Sequence, residues 1–149
     1  MLMVRIPWSI AARKVSMKEK VSHLSNEKWI MTSGNRVAKI WFPLTDSTKS
    51  KEIYRLSRKQ VSTIMQILTG HSELGYFQHK LGKITSPICT QCGLYPETVE
   101  HYIGICIKFH YERKKIFDQH IIEPYQFQFL TIKGLNKFAS LTKRFEQTS

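Results

Sequence analysis

Acidic residues are scarce in this sequence, in which 11 Asp and Glu stand against 23 Lys and Arg and give 149 residues a formal charge of +12. Such an excess of positive charge attracts polyanions, nucleic acid before all others. Long apolar runs are also missing, so we expect no membrane partner. The opening Met1–Trp8 is too short and too interrupted for a secretory signal.

Cysteine is equally rare, and all three cysteines belong to one segment with the spacing C-x2-C-x8-H-x4-C: Cys89, Cys92, His101 and Cys106. Two cysteines two apart can lie on one tight turn, and Gly93 suits the reversal that follows. A Cys3His set is typical of structural zinc, so we predict a bound Zn2+. Because protein atoms would fill all four positions, this zinc should hold the fold together and perform no chemistry.

The fourth ligand is open at this point, because His110 lies C-x3-H beyond Cys106 and also completes a shell with Cys89 and Cys92. On a helix starting near Thr98, His101 and Cys106 are five residues apart and do not share a face. The helix would have to end or distort before Cys106 for both to reach one ion. We favour His101. Zinc-bound thiols indicate a reducing compartment, either cytoplasm or nucleus.

The hydrophobic pattern predicts a mainly α fold organised around the zinc turn, with at most a short β element near residues 37–42. Residues 1–50 are expected to form a helical arm, the short strand and a polar linker. Residues 51–122 should form the helical zinc-binding core, in which Ser57 and Gln60 fit a capping box. Residues 123–149 should end in an amphipathic helix.

Taken together, these motifs resemble a known family. The segments that carry the resemblance are Trp29, Trp41-Phe42-Pro43, Thr69-Gly70-His71, Leu81, Cys89-x2-Cys92-Gly93, Glu97-Thr98-Val99-Glu100-His101, Cys106 and Arg113. Their order is similar to the C-terminal region of LINE-type (non-long-terminal-repeat, jockey-like) retrotransposon polyproteins, where a zinc-binding segment follows the reverse transcriptase and ribonuclease H domains. The resemblance implies Cys89, Cys92, His101 and Cys106 as the ligand set.

Catalysis is not part of what the resemblance supplies. Reverse transcriptase and ribonuclease H both hold Mg2+ ions with clustered carboxylates, whereas Asp46 and Asp118 stand alone and the glutamates are scattered. No Ser-His-Asp spacing and no phosphate-binding glycine loop occurs. We therefore expect a non-enzymatic fragment or solitary descendant of the polyprotein tail.

Nucleic acid, RNA or DNA, is the partner that the charge and the resemblance favour, and other retroelement proteins are further candidates. The expected phosphate contacts are Arg58, Lys59, Lys80, Lys83, Lys108, Arg113, Lys114 and Lys115. The alternative is a zinc-stabilised protein-interaction or scaffolding domain with an exposed apolar patch. Its candidate residues are Tyr76, Phe77, Tyr125, Phe127 and Phe129.

Overall fold

The computed structural model describes residues 9–146 and confirms the mainly α fold. Within these residues the only β pairing is a single antiparallel bridge between Ile88 and Pro96. The chain divides into two compact units, Met1–Gly34 and Asn35–Ser149. The cysteines and the hydrophobic core belong to the second unit.

The first unit contains one helix, α1 (Ile10–Met31), which begins where the Ser9 hydroxyl accepts a hydrogen bond from the amide of Ala12 at 3.1 Å. None of its residues is buried. Its apolar side chains, such as Val21 and Leu24, are exposed beside basic ones.

The short strand expected near residues 37–42 is wrong, because residues 36–41 form helix α2 (Arg36–Trp41). The apolar residues Val37, Ile40 and Trp41 lie three and four positions apart, which places them on one helical face. Trp41 is fully buried and stacks on Phe127 with ring centroids 4.7 Å apart. The burial of Trp41 against Phe127 therefore outweighs the β propensity of the residues in this segment.

The stretch expected as polar linker is also helical. Helix α3 (Ser47–Tyr54) begins at Asp46, whose carboxylate accepts a hydrogen bond from the amide of Thr48 at 2.7 Å. Lys49 is buried, and its Nζ donates to the carbonyl of Gln128 at 2.6 Å. Helix α3 is therefore hydrogen-bonded to the rest of the second unit.

Helix α4 (Arg58–Thr69) carries the expected capping box between Ser57 and Gln60. It buries Ile64, Ile67 and Leu68 and ends at Gly70, which has a φ of +75°. Helix α5 (Gly75–Lys80) follows after a short corner. The two helices lie on either side of the Thr69-Gly70-His71 segment.

Residues 89–106, which carry all three cysteines and His101, are called the metal turn below. The chain forms a π-helical turn (His101–Ile105) within this stretch and then a 3-10 turn (Ile107–Phe109) and helix α6 (His110–Phe117). A second 3-10 turn (Pro124–Phe129) precedes helix α7 (Ile132–Thr142), which is the expected C-terminal amphipathic helix. The core of the unit is built from helices α2, α4, α6 and α7 and the turns between them. Its largest fully buried apolar side chains are Trp41, Tyr102, Phe127, Phe138, Ile64, Ile67, Leu74, Ile103, Ile122, Ile132 and Leu135.

Candidate metal centre

The first two cysteines lie on one tight turn. The amide of Cys89 donates to the carbonyl of Tyr95 at 2.8 Å, and the amide of Gly93 donates back to the carbonyl of Cys89 at 2.8 Å. Gly93 has a φ of +71°, which a residue with a side chain adopts only with strain. The reversal turns the sulfurs of Cys89 and Cys92 toward one point.

A distorted helical turn supplies the other two donors. The hydroxyl of Thr98 accepts a hydrogen bond from the amide of His101 at 3.1 Å and starts the turn. The amide of Cys106 then donates to the carbonyl of His101 at 2.8 Å, five residues back. Five residues are about 1.4 turns of an α-helix, so a regular helix would place the two side chains on nearly opposite faces. The wider π turn removes that obstacle.

These two turns bring four potential ligands together. One donor atom each from Cys89, Cys92, His101 and Cys106 lies within 4.8 Å of the others. Cys89 Sγ and Cys106 Sγ are 4.0 Å apart, and Cys92 Sγ and His101 Nε2 are 3.3 Å apart. Within residues 9–146 this is the one group of three or more His, Cys, Asp or Glu residues so arranged. The cluster could hold a metal ion.

The distances distinguish a metal shell from a disulfide. Zn–S bonds of about 2.3 Å and Zn–N bonds of about 2.0 Å put neighbouring donors of a tetrahedral shell roughly 3.6–3.8 Å apart. The separations of 4.0 and 3.3 Å lie on either side of that value. A disulfide needs sulfurs about 2.05 Å apart. All three thiols are free.

The surroundings of the donors affect their protonation. Burial raises the pKa of the Cys89 thiol, and it raises that of the Cys106 thiol to about 12. Burial also favours protonation of Cys92, but hydrogen bonds from the backbone amide of Leu94 and from neighbouring groups lower its pKa overall. Burial lowers the pKa of His101, which keeps the imidazole neutral and able to donate a lone pair to a metal.

His110, the alternative fourth ligand, lies outside the cluster. Its Nδ1 is 2.9 Å from the carbonyl oxygen of Ile107, and its ring stacks near that of His120 with centroids 6.3 Å apart. The structure thus brings His101 and not His110 to the three sulfurs.

Arg113 was expected to contact phosphate, but its side chain is buried and only 1% exposed. Its Nη2 donates to the carbonyl of Cys106 at 2.6 Å, and its Nε donates to the carbonyl of His120 at 2.8 Å. These bonds hold the guanidinium beneath the residue that carries the third sulfur. The phosphate-binding prediction for Arg113 is therefore wrong, and the residue supports the metal turn.

Arg144 is a second arginine near the cluster, and no pattern of residues along the chain pointed to it. Its Nε and Nη2 donate to the two carboxylate oxygens of Glu97 at 2.6 and 2.7 Å. Glu97 is 1% exposed, also accepts from the amide of Gly75 at 2.6 Å, and lies 3.8 Å from the sulfur of Cys89. This Glu97–Arg144 pair connects the segment after α7 to the metal turn. Its hydrogen bond to Glu97 raises the pKa of Arg144.

The remaining members of the expected basic set are all at the surface. Lys114 donates to Asp118 at 2.6 Å, four residues on, in a solvent-exposed pair of the kind that contributes little stability. The others are exposed on α4, at and just after the end of α5, before α6 and within it: Arg58, Lys59, Lys80, Lys83, Lys108 and Lys115. Their role in binding phosphate stays a prediction.

The aromatic residues of the alternative interaction patch differ in their exposure to solvent. Phe127 is in the core and Phe77 is half-buried. Tyr76, Tyr125 and Phe129 are exposed.

Across residues 9–146, no helix combines the length and the apolar character that crossing a bilayer requires. Comparison of the chain with protein-family models, with curated proteins and with solved structures gives no match.

Proposed function

We propose that the chain is a non-catalytic zinc-binding module of a retrotransposon-derived reverse transcriptase polyprotein, and that it binds RNA or DNA through its basic surface. The observation that carries the proposal is the convergence of Cys89, Cys92, His101 and Cys106 in a molecule with a formal charge of +12. Three thiolates and one imidazole form a donor set that suits Zn2+. A chain with such a site belongs in a reducing compartment, cytoplasm or nucleus.

The metal's role in this proposal is structural. All four donors come from the protein, so no coordination position remains for water or substrate. Glu97 is already committed to Arg144 and to the amide of Gly75, which leaves it unsuited to act as a base. Bound zinc would fix the two turns relative to each other, with apparent binding free energies on the order of 10 kcal/mol for such sites.

The resemblance to retrotransposon polyproteins gains support from the structural use of its motif residues. Thr98 starts the turn that carries His101. Glu97 anchors Arg144, and Glu100 pairs with Arg36 at 3.3 Å. Each polar position of the Glu-Thr-x-Glu-His motif thus has a defined place around the cluster, as a motif maintained for a metal turn requires.

The test is a titration of metal-analysed protein into labelled single-stranded RNA and duplex DNA at 50 and 200 mM salt. About four phosphate contacts to a single strand predict a roughly 50-fold loss of affinity between these salt concentrations. His101→Ala should lose the single equivalent of zinc, and the matched control His110→Ala should keep it. Zinc retained by both variants would contradict the ligand set, and the absence of binding at low salt would contradict the nucleic-acid role.

A zinc-stabilised interaction domain is the second candidate, and one observation favours it. Tyr125 and Phe129 are 69% and 75% exposed on the same 3-10 turn. Exposed aromatic side chains are common at protein interfaces. A partner bound through them would show weak salt dependence, and Phe129→Ala would abolish its binding.

A further inference from the structure

A cleft lies beside the metal turn, and the metal site does not account for it. Its volume is about 290 Å³, and its walls come from the start of α2, the Thr69-Gly70-His71 corner, α5 and the segment 97–100. A volume near 300 Å³ is at the lower end of the range for small-ligand sites. The cleft therefore brings together the two motifs that precede and follow the Cys89–Cys92 pair.

Gly70 shapes this cleft. A Cβ atom at Gly70 would lie 2.9 Å from Cγ2 of Val37, so a larger residue would force α2 away from the corner. The hydroxyl of Thr69 accepts a hydrogen bond from the amide of His71 at 3.3 Å and orients the residue after the glycine. The threonine and glycine of the corner thus position His71 at the edge of the cleft.

Aromatic surface is available on one side. The imidazole of His71 stacks on the ring of Phe77, with centroids 4.9 Å apart and an angle of 22° between the planes. His71 is exposed, and the neighbouring Tyr76 is 44% exposed. Among the described residues neither the imidazole of His71 nor the hydroxyl of Tyr76 has a hydrogen-bond partner. Both side chains therefore offer exposed aromatic surface at the cleft.

Charges of both signs complete the cleft. Arg36 and Lys80 line it, and within the described residues Lys80 has no ion-pair partner. The side chain of Glu100 is 19% exposed and lies 3.3 Å from Arg36. Glu97 contributes little free charge because Arg144 neutralises it. A simple anion would meet the Glu100 carboxylate, and an apolar peptide would leave the ammonium group of Lys80 without a partner.

One class of ligand has chemical groups that complement the aromatic rings, the cations and the carboxylate of the cleft. A nucleotide presents an aromatic face, phosphates on either side and, in adenine and cytosine, an exocyclic amino group that donates to a carboxylate. We propose that the cleft takes one unpaired nucleotide of a single strand, with its base on the rings of His71 and Tyr76 and its phosphates near Lys80 and Arg36. The amino edge of the base would face Glu100. This inference rests on the nucleic-acid function proposed above and names the site and the form of strand.

The first arm of the test compares fluorescently labelled dC12 and dT12 in anisotropy titrations with the zinc-loaded chain at low salt. Cytosine offers its N4 amino group to Glu100, whereas thymine presents its O4 acceptor to the same carboxylate. We therefore expect dC12 to bind at least about fivefold more tightly than dT12, which a merely basic surface would not produce. Glu100→Ala should remove the preference. Equal affinities for both strands in the unchanged protein would overturn the role of Glu100.

The second arm measures dC12 binding by variants with matched controls. Tyr76→Ala should weaken binding at least about fivefold, since losing one stacking partner has effects of this size or larger. Lys80→Ala should also weaken binding by about fivefold and should reduce its salt dependence, since it removes one phosphate contact. The exposed residues Tyr111 and Lys137 lie outside the cleft and outside the expected phosphate-binding set, and their Ala variants should bind within about twofold of the unchanged protein. Zinc content and thermal melting verify folding. Lys80→Ala removes only an exposed side chain, so it keeps the test decisive if Tyr76→Ala fails to fold.

The outcomes separate the two proposals. If the unchanged protein binds strands with steep salt dependence but cleft and control variants lose affinity equally, the cleft proposal is wrong and the nucleic-acid function stands. If the unchanged protein binds neither strand at low salt, the nucleic-acid function is wrong and the cleft proposal falls with it. Preferential loss in the cleft variants supports both.

Discussion

Replacing Arg144 with alanine should destabilise the second unit more than most single changes, although the residue lies far from the metal ligands in sequence. The change removes both hydrogen bonds from Arg144 to Glu97 and leaves that carboxylate buried, with the amide of Gly75 and, while it is protonated, the thiol of Cys89 as its remaining donors. The unpaired charge then lies 3.8 Å from the sulfur of Cys89. When that sulfur is a thiolate, two negative groups face each other without a cation between them.

The magnitude follows from the burial of the pair. Glu97 is 1% exposed and the side chain of Arg144 is 11% exposed, so solvent screens their attraction poorly. Removing one partner of a buried ion pair costs about 3–5 kcal/mol. At about 4 °C per kcal/mol for a domain slightly above 100 residues, the melting temperature should fall by about 12–20 °C.

Thermal unfolding of the zinc-loaded protein by circular dichroism measures this loss. Lys137→Ala is the matched control, because it removes an exposed cation from α7, and it should shift the melting temperature by no more than about 2 °C. In a double-mutant cycle, Glu97→Gln combined with Arg144→Ala should cost clearly less than the sum of the single changes. Zinc affinity, measured by chelator competition, should fall about 10–100-fold in Arg144→Ala.

Two results would refute this reasoning. A melting temperature within about 4 °C of the unchanged protein would mean that the Glu97–Arg144 pair is not stabilising. Additive effects of the two single changes would mean that the residues do not act on each other.

Two further predictions concern packing and metal chemistry. Gly104→Ala should cost about 3 kcal/mol or more in urea unfolding, because its Cβ would overlap the backbone carbonyl oxygen of Ile122. Gly93→Ala, with open space around it, should cost only the strain of its positive φ, about 1–2 kcal/mol. Equal costs would argue against close packing at Gly104. Zinc uptake at pH 7.5 should release about two to three protons, because the raised pKa values of Cys89 and Cys106 keep both thiols protonated without metal and because zinc binds thiolates. Calorimetry in buffers of different ionisation enthalpy counts these protons, and a count near zero would contradict thiolate ligation.

The sequence was most informative where local chemistry decides the structure. The capping box at Ser57 needs only residues three apart, and it starts α4 as expected. The condition that the helix distort before Cys106 followed from helical geometry alone, and the π turn from His101 meets it. Spacing along the chain was sufficient in both cases.

The sequence was least informative where distant residues decide. Residues 37–42 carry β-branched and aromatic side chains, but the contact of Trp41 with Phe127 makes the segment helical. Arginine is a residue type usually found at the surface, and only the hydrogen bonds of Arg113 to the carbonyl groups of Cys106 and His120 explain its burial. Arg144 meets Glu97 across 47 positions, which no periodicity encodes.

The spacing of these contacts along the chain also has a consequence for the order of folding. Cys89 and Cys106 are separated by 17 positions, whereas Glu97 and Arg144 are separated by 47. Closing a short loop costs less entropy than closing a long one, so the metal turn can assemble while the C-terminal segment is still unfolded. We therefore expect the Arg144 contact to form after the rate-limiting step, so that Arg144→Ala should accelerate unfolding in stopped-flow measurements while leaving the folding rate nearly unchanged. In kinetic terms, we expect Arg144 to determine how long the metal turn stays closed, and the ligands themselves to determine how fast it forms.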